Sequence, residues 1–476
     1  MIFALLRIGF GSDNSKISME SSQGVNMECS PRHRELIRRT FIDFMQTSEF
    51  LKRPLIFDRA EGLYLWDLEG RRYFDAIGGI FVAVLGHRPP RVLEAVRRQM
   101  DRLTFAPPLH GISGVSLDFV ERLGSVAPGN LRYIKSFSGG SESIEAALKF
   151  ARQYFQQTGH PQKTKAISNY LSYHGATMAA MSASGGAKRK IKFEPQMPGF
   201  LKALSPIQLR DRFPDWREAC RFCAQLVGDI VDSENPETVA VVLIEPICNT
   251  GGIVTPTAEY FTILRDICSR RNVLLVFDEV LTGFGKTGDM FAAQTYGVVP
   301  DILCSGKALS GGVIPSGAIM VREDLAESFY GPAERDIQFF HGHTYASNPL
   351  AAAAGIAVID ELVEKEYPRK ARRLGERLRR GLEGLKDLGV VREVRGKGVL
   401  LGVELVEDPR TNRPFPPGRK LGDALKRTAL EHGLILRIDP DWFAVSPPLI
   451  ADEGDMDELV ALIRASLKAA LAQVRP

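Results

Sequence analysis

From His87 onward, amphipathic helices alternate with short segments that are apolar on both faces: "RYIKSF", "TVAVVLIEP", "VLLVFDE" and "SGAIMV". A strand without a polar face must be covered on both sides, and alternating helices achieve this around a mainly parallel sheet. The pattern therefore predicts an α/β fold. In such sheets ligands bind beyond the carboxyl ends of the strands. With 476 residues, 44% of them apolar, the chain is long enough for more than one domain. Residues 1–30 read as a disordered tail and 31–86 as the N-terminal segment of a small domain. A large domain with a mainly parallel sheet follows over 87–345, and 346–476 reads as the C-terminal part of the smaller α+β domain.

Lys and Arg total 61 against 57 acids. That balance argues against a nucleic-acid footprint. No apolar run reaches the eighteen or so residues of a membrane span, and the stretch after Phe10 lacks a signal-peptide layout. Of the six cysteines only Cys220 and Cys223 form a CxxC pair. One such pair on a helical stretch points to packing rather than zinc, and scattered cysteines fit a reducing cytoplasm. His174, His341 and His343 have no acidic or cysteine cluster beside them, so no metal site is expected.

Chemistry enters at "PDILCSGKALSGG", where Lys307 follows an apolar strand. A lysine placed there is costly unless its charge is solvated, paired or lost, and a neutral amine is a nucleophile. Asp278 ends the strand "VLLVFDE", where a carboxylate needs a cationic or hydrogen-bonding partner. A protonated pyridine nitrogen would serve. In "SFSGGSES" a strand turns through glycine into a helix, and the amides of Gly140 and Ser141 would suit a phosphate. An ordinary N-cap fits that stretch too, since Ser is favoured there. Phosphate site, pyridinium partner and aldehyde-capturing lysine together describe a pocket for pyridoxal 5'-phosphate.

The motifs "SGGSES", "SYHGAT", "IEPICNTGG", "FDEVLTGFGKTG", "CSGKALSGG" and "HGHTYASNP" occur in an order that resembles the class III pyridoxal-phosphate-dependent aminotransferases. The likeness runs from about Pro31 to the C-terminus and is greatest to the omega-amino acid:pyruvate or amine transaminase branch. It implies the type I, aspartate aminotransferase-like fold. It further implies that Lys307 forms the Schiff base with the cofactor aldehyde and that Asp278 keeps the ring nitrogen protonated. Gly140 and Ser141 are implied to bind phosphate, Tyr173 to stack on the pyridine ring with Val280 on its other face, and Glu245 to stand beside the cofactor. Thr344 is similar to the threonine that reaches the cofactor phosphate of a partner subunit, which implies a homodimer. As residues alone, Tyr173 and Val280 would also suit a plain core.

In members that use glutamate with ornithine or aminobutyrate, an acid in the "EPI" loop gates an arginine. Here Thr250 stands at the acid's place and Leu281 follows "DEV". Arg395 in "VRG" matches the arginine without its gate, whereas Arg437 resembles the carboxylate-binding arginine of the amine transaminase branch. Arg437 ranks ahead of Arg395 on that likeness. Phe81 is similar to a pocket-lining aromatic of that branch and Phe105 is expected to help shape the pocket, though core residues would look the same. The expected activity is an aminotransferase moving an amino group from an amine or omega-amino acid to a keto acid, with pyruvate ahead of 2-oxoglutarate, by a ping-pong course. Its rivals are an aminomutase of the glutamate-semialdehyde type, a decarboxylating relative and a binding protein that retains only the scaffold.

Overall fold

A computed structural model describes residues 29–416 and 418–474. The expected tail, Cys29 and Ser30 apart, lies outside the described residues. Two compact units emerge. The first holds the described residues up to Asp58 together with Trp66–Arg71. Its helix Pro31–Arg38 starts where Ser30 accepts a hydrogen bond from the His33 amide and Pro31 needs no partner for its nitrogen. The second unit holds Arg59–Leu65 and Arg72–Pro476 and carries every residue of the chemical constellation.

Three short strands come first: β1 (Phe57–Glu61), β2 (Tyr64–Asp67) and β3 (Arg72–Asp75). The main sheet follows, from β4 (Tyr133–Phe137), β5 (Lys165–Asn169), β6 (Phe200–Ala203), β7 (Val239–Ile244), β8 (Leu274–Asp278), β9 (Ile302–Gly306) and β10 (Gly317–Val321). Its seven strands run in the order β4-β10-β9-β8-β7-β5-β6. The stretch from β9 to β6 is parallel, while β10 is antiparallel to both β4 and β9. The sheet is thus mainly parallel with one reversed strand. The reversal follows from the short link between β9 and β10, since a parallel return needs a crossover of a dozen or more residues.

Every residue of β7, β8, β9 and β10 is buried. Each fully buried Val, Leu or Ile contributes about 1.5–3 kcal/mol relative to exposure, so these strands anchor the unit. The helix Trp216–Ser233 is capped by Asp215, which accepts from the Glu218 amide, and it buries Cys220 and Cys223. Both thiols are free, and burial pushes them up to about 11 and about 12. They therefore act as small apolar packing groups.

Toward the C-terminus, β11 (Val391–Lys397), β12 (Leu400–Leu405), β14 (Arg437–Asp439) and β15 (Trp442–Val445) form an antiparallel sheet in the order β11-β12-β15-β14. The intervening β13 (Leu434–Ile435) instead pairs in parallel with β3. The Arg-rich helix Tyr367–Glu383 lays Ala371, Leu374, Leu378 and Leu382 inward. No helix among the described residues is long and apolar enough to cross a membrane.

Candidate active site

Asp278 is the last residue of β8, and its Cα pairs with that of Cys304 on the neighbouring parallel strand β9. Lys307 follows the end of β9 directly, so both side chains meet at one carboxyl edge of the sheet. The lysine has φ +45°, a left-handed conformation uncommon outside glycine and concentrated at functional sites. A cavity of about 190 Å³ opens there. Gly140, Ser141, Tyr173, Glu245, Asp278, Val280 and Lys307 line it, together with His174, Gly175, Asn249 and Leu281.

The lining is held by hydrogen bonds that cross between strand ends. One carboxylate oxygen of Asp278 faces His174 Nδ1 at 2.8 Å, and the other accepts from the Val280 amide at 3.1 Å. Glu245 accepts from the amides of Tyr173 at 3.0 Å and Asn249 at 3.4 Å. Burial lowers the pKa of the Lys307 amine, with the carboxylates of Asp278 and Glu245 opposing. Burial likewise raises the Glu245 carboxyl, an effect that His174 opposes. A second amine lies close by: Lys286 is 3% exposed and donates to the Gly283 carbonyl at 3.0 Å. Burial and the charge of Lys307 push it down to about 7.

The helix Gly140–Gln157 begins after Gly139 with no side-chain cap, so the amides of its first turn are placed for an anion. A Cβ at Gly140 would lie 2.7 Å from Val280 Cγ1, so only glycine lets the turn and that side chain share the wall. Ser141 Oγ accepts from the Ala176 amide at 3.0 Å, tying the turn to the segment after Tyr173 and His174.

Other residues singled out in the sequence lie elsewhere. Arg395 is 8% exposed, and its guanidinium donates to the Gly252 carbonyl at 2.6 Å, to Glu393 at 3.2 Å and to Glu404. Thr250 donates to the Leu171 carbonyl. Arg437 pairs with Asp439 at 2.5 Å, 5.4 Å from the Trp442 ring. Phe81 is 1% exposed within the core, Phe105 is 39% exposed and meets Tyr345 edge-on, and Thr344 is exposed. His174, Gly175 and Asn249 line the cavity without having been assigned to it from the sequence. For His174 a signal existed, its place next to Tyr173 in "SYHGAT".

Comparison with known proteins supplies the family. The family model "Aminotransferase class-III" matches residues 46–467. The chain belongs to the class III aminotransferases. It is 35% identical over 437 residues to a protein named as a probable aminotransferase in Mycobacterium tuberculosis, covering 90% of this chain and 93% of the relative. A thermostable (S)-enantioselective omega-transaminase from Thermomicrobium roseum superposes with a TM-score of 0.87 at 34% identity, over 93% of this chain and 98% of the other. The omega-transaminase of Pseudomonas jessenii in complex with PMP gives 0.88 at 30% identity, over 93% and 98%.

The fold of this class III aminotransferase is therefore the type I fold of pyridoxal-phosphate enzymes, and its cofactor is pyridoxal 5'-phosphate. The donor set fits that cofactor: uncapped helix amides for its phosphate, a buried carboxylate for its ring nitrogen and an amine for its aldehyde.

Proposed function

We propose that this aminotransferase moves an amino group from an amine or omega-amino acid to a keto acid, pyruvate or 2-oxoglutarate, in two half-reactions at one site. The observation that carries the reading is the meeting of Lys307 and Asp278 in one cavity at adjacent strand ends. Bound pyridoxal phosphate supplies an aldehyde that takes up the amino group and a pyridinium that accepts the electrons released at the substrate carbon.

This chain's residues do the rest. Lys307 holds the aldehyde, and its amine, whose pKa burial lowers, carries a proton to and from the substrate carbon. Asp278 holds the proton on the ring nitrogen, and His174 orients that carboxylate from its other side. Gly140 and Ser141 hold the phosphate, while Tyr173 and Val280 flank the ring and Glu245 stands beside it. Arg437 takes the substrate carboxylate, a role that suits a guanidinium. Arg395, whose donors are engaged by Gly252, Glu393 and Glu404, acts as a brace. A cofactor-binding large domain over 87–345, a small domain from 31–86 and 346–476, and a homodimer in which Thr344 reaches the partner's cofactor belong to the same proposal.

The test is a panel of amines and omega-amino acids against both keto acids, with borohydride reduction of the purified holoenzyme. Product that needs both donor and keto acid, and a cofactor fixed on Lys307, support the reading. Product from a single substrate without keto acid would make the protein an aminomutase, and carbon dioxide release would make it a decarboxylase. Lys307→Ala should lose both fixation and turnover, and retention of either overturns the assignment.

A further inference from the structure

Strand β7 ends at the same edge of the sheet as Asp278, and the chain then closes a small loop over residues 248–254. The Cys248 amide donates to the Val254 carbonyl at 3.0 Å, and the Val254 amide donates back at 2.9 Å. Within the loop the Asn249 carbonyl accepts from the Gly252 amide at 2.8 Å, the Asn249 amide donates to Glu245 at 3.4 Å, and Thr250 donates to the Leu171 carbonyl. The backbone of Asn249 is thus fixed from several sides, but its side chain is not. Among the described residues its carboxamide makes no hydrogen bond, and Oδ1 is shielded from water without a partner. A buried amide oxygen left in that state is costly, and native proteins rarely keep one unless a ligand or an ordered water answers it.

Asn249 lines the cavity of Lys307 and Asp278. Pyridoxal phosphate brings a phosphate, a ring nitrogen, an aldehyde and a ring hydroxyl to such a cavity. In the reading above, the amides at Gly140 and Ser141, the Asp278 carboxylate and the Lys307 amine answer the first three. The hydroxyl still needs a partner. Tyr173 and Val280 flank the ring, and Gly175 and Leu281 offer no polar side chain. His174 faces Asp278 at 2.8 Å, and Glu245 already accepts through both oxygens, from the amides of Tyr173 and Asn249. A carboxylate would also repel the ring oxygen once the hydroxyl has lost its proton. Asn249 remains. Its carboxamide carries two N–H donors, and a half-turn about its last bond exchanges the amino group and the oxygen.

We propose that Asn249 is a cofactor-binding residue whose carboxamide donates to the ring hydroxyl oxygen of pyridoxal phosphate and favours the deprotonated form of that oxygen. A hydrogen bond to a charged oxygen is stronger than one to a neutral oxygen, and it stabilises the charged form. The proton that the ring oxygen shares with the Lys307 nitrogen is then held less tightly. The contact rests on the cofactor roles of the transaminase reading above, whereas amino transfer by itself does not require it.

Asn249 has no left-handed backbone conformation, so Asn249→Ala fits the loop as it stands. Full-length wild type and variant are each loaded with pyridoxal phosphate or with an analogue whose ring hydroxyl is replaced by hydrogen, and retention is followed by equilibrium dialysis. Wild type should hold the cofactor about ten-fold or more tightly than the analogue, and Asn249→Ala should lose most of that preference. In the holoenzyme the pH midpoint of the visible absorbance should rise in Asn249→Ala, because the ring oxygen loses a donor that favoured its charge, and Asn249→Ser should recover part of the shift. A wild type indifferent to the hydroxyl, an unmoved midpoint, or a variant that loses cofactor and analogue equally overturns the contact. Equal loss is what a merely structural role would give. Holoenzyme that transfers no amino group to any keto acid would overturn the transaminase reading instead, and the hydroxyl preference would still decide for or against Asn249.

Discussion

Lys286 is buried and Lys307 half-buried in the same neighbourhood, and desolvation is the main cause that lowers the pKa of each. Only Lys307 faces the cavity. Lys286 has a folded-state pKa of about 7 against an ordinary 10.5. Between those values the unfolded chain holds a proton that the folded chain lacks, so this group makes stability rise with pH from about 7 to 10.5. Lys286→Met should remove that rise. Urea unfolding of wild type and variant at the two ends of the window checks it, and equal pH slopes would refute it. Asp278→Asn removes the charge that faces Lys307 and leaves His174 beside an amide. Turnover should fall on the order of a hundred- to thousand-fold with the protein still folded, read by steady-state kinetics beside circular dichroism. Lys307 and Asp278 were legible in the sequence because a charged group at the end of an apolar strand is costly and calls for a partner.

At the scale of elements, β11 and β12 are braced by a charged network. Glu404 accepts from Arg210 at 2.8 Å and also from Arg395, while Arg210 reaches Glu393 at 2.7 Å. Burial would raise the carboxyl of Glu404, but the hydrogen bond from Arg210 and the charges of both arginines outweigh it and hold the group at about 2. Its folded value lies below the ordinary 4.5, so its stabilisation is present above pH 4.5 and lost as pH falls toward 2. Glu404→Gln leaves three arginines, Arg210, Arg392 and Arg395, short of a counter-charge and should cost about 3 kcal/mol, seen as a lower Tm at neutral pH. An unchanged Tm would mean that the network adds nothing. The turn at Gly140 offers another test. Gly140→Ala pushes a methyl into Val280 and should weaken cofactor retention about ten-fold or more on dialysis, since a 1 Å misplacement can cost that much at a site. The strands were legible from their apolar runs. The reversed direction of β10 was not, because strand composition is blind to which way a short link returns.

For the molecule as a whole, Leu109 is 89% exposed, Leu117 54%, Phe340 57% and Tyr345 58%. Large apolar side chains left in water are a liability that a partner surface removes. We expect a dimer in sedimentation velocity, and Leu109→Glu should shift it toward monomer and weaken cofactor retention. A monomeric wild type that keeps its cofactor would refute the shared site. The alternation of strand and helix, the lysine and aspartate at adjacent strand ends and the glycine turn before the phosphate helix were settled by local sequence. Each depends on a residue's place within its own segment, and the sheet brings such segments to one edge. Which partners each arginine meets was decided only in three dimensions. Arg395 is engaged by Gly252, 143 positions away, and by Glu404 across the β11–β12 pair. Arg189 meets the Tyr173 ring because the short helix Ala187–Lys190 places it there. A guanidinium can bind a carboxylate, a carbonyl or a ring, and only the packed chain determines which of them it meets first.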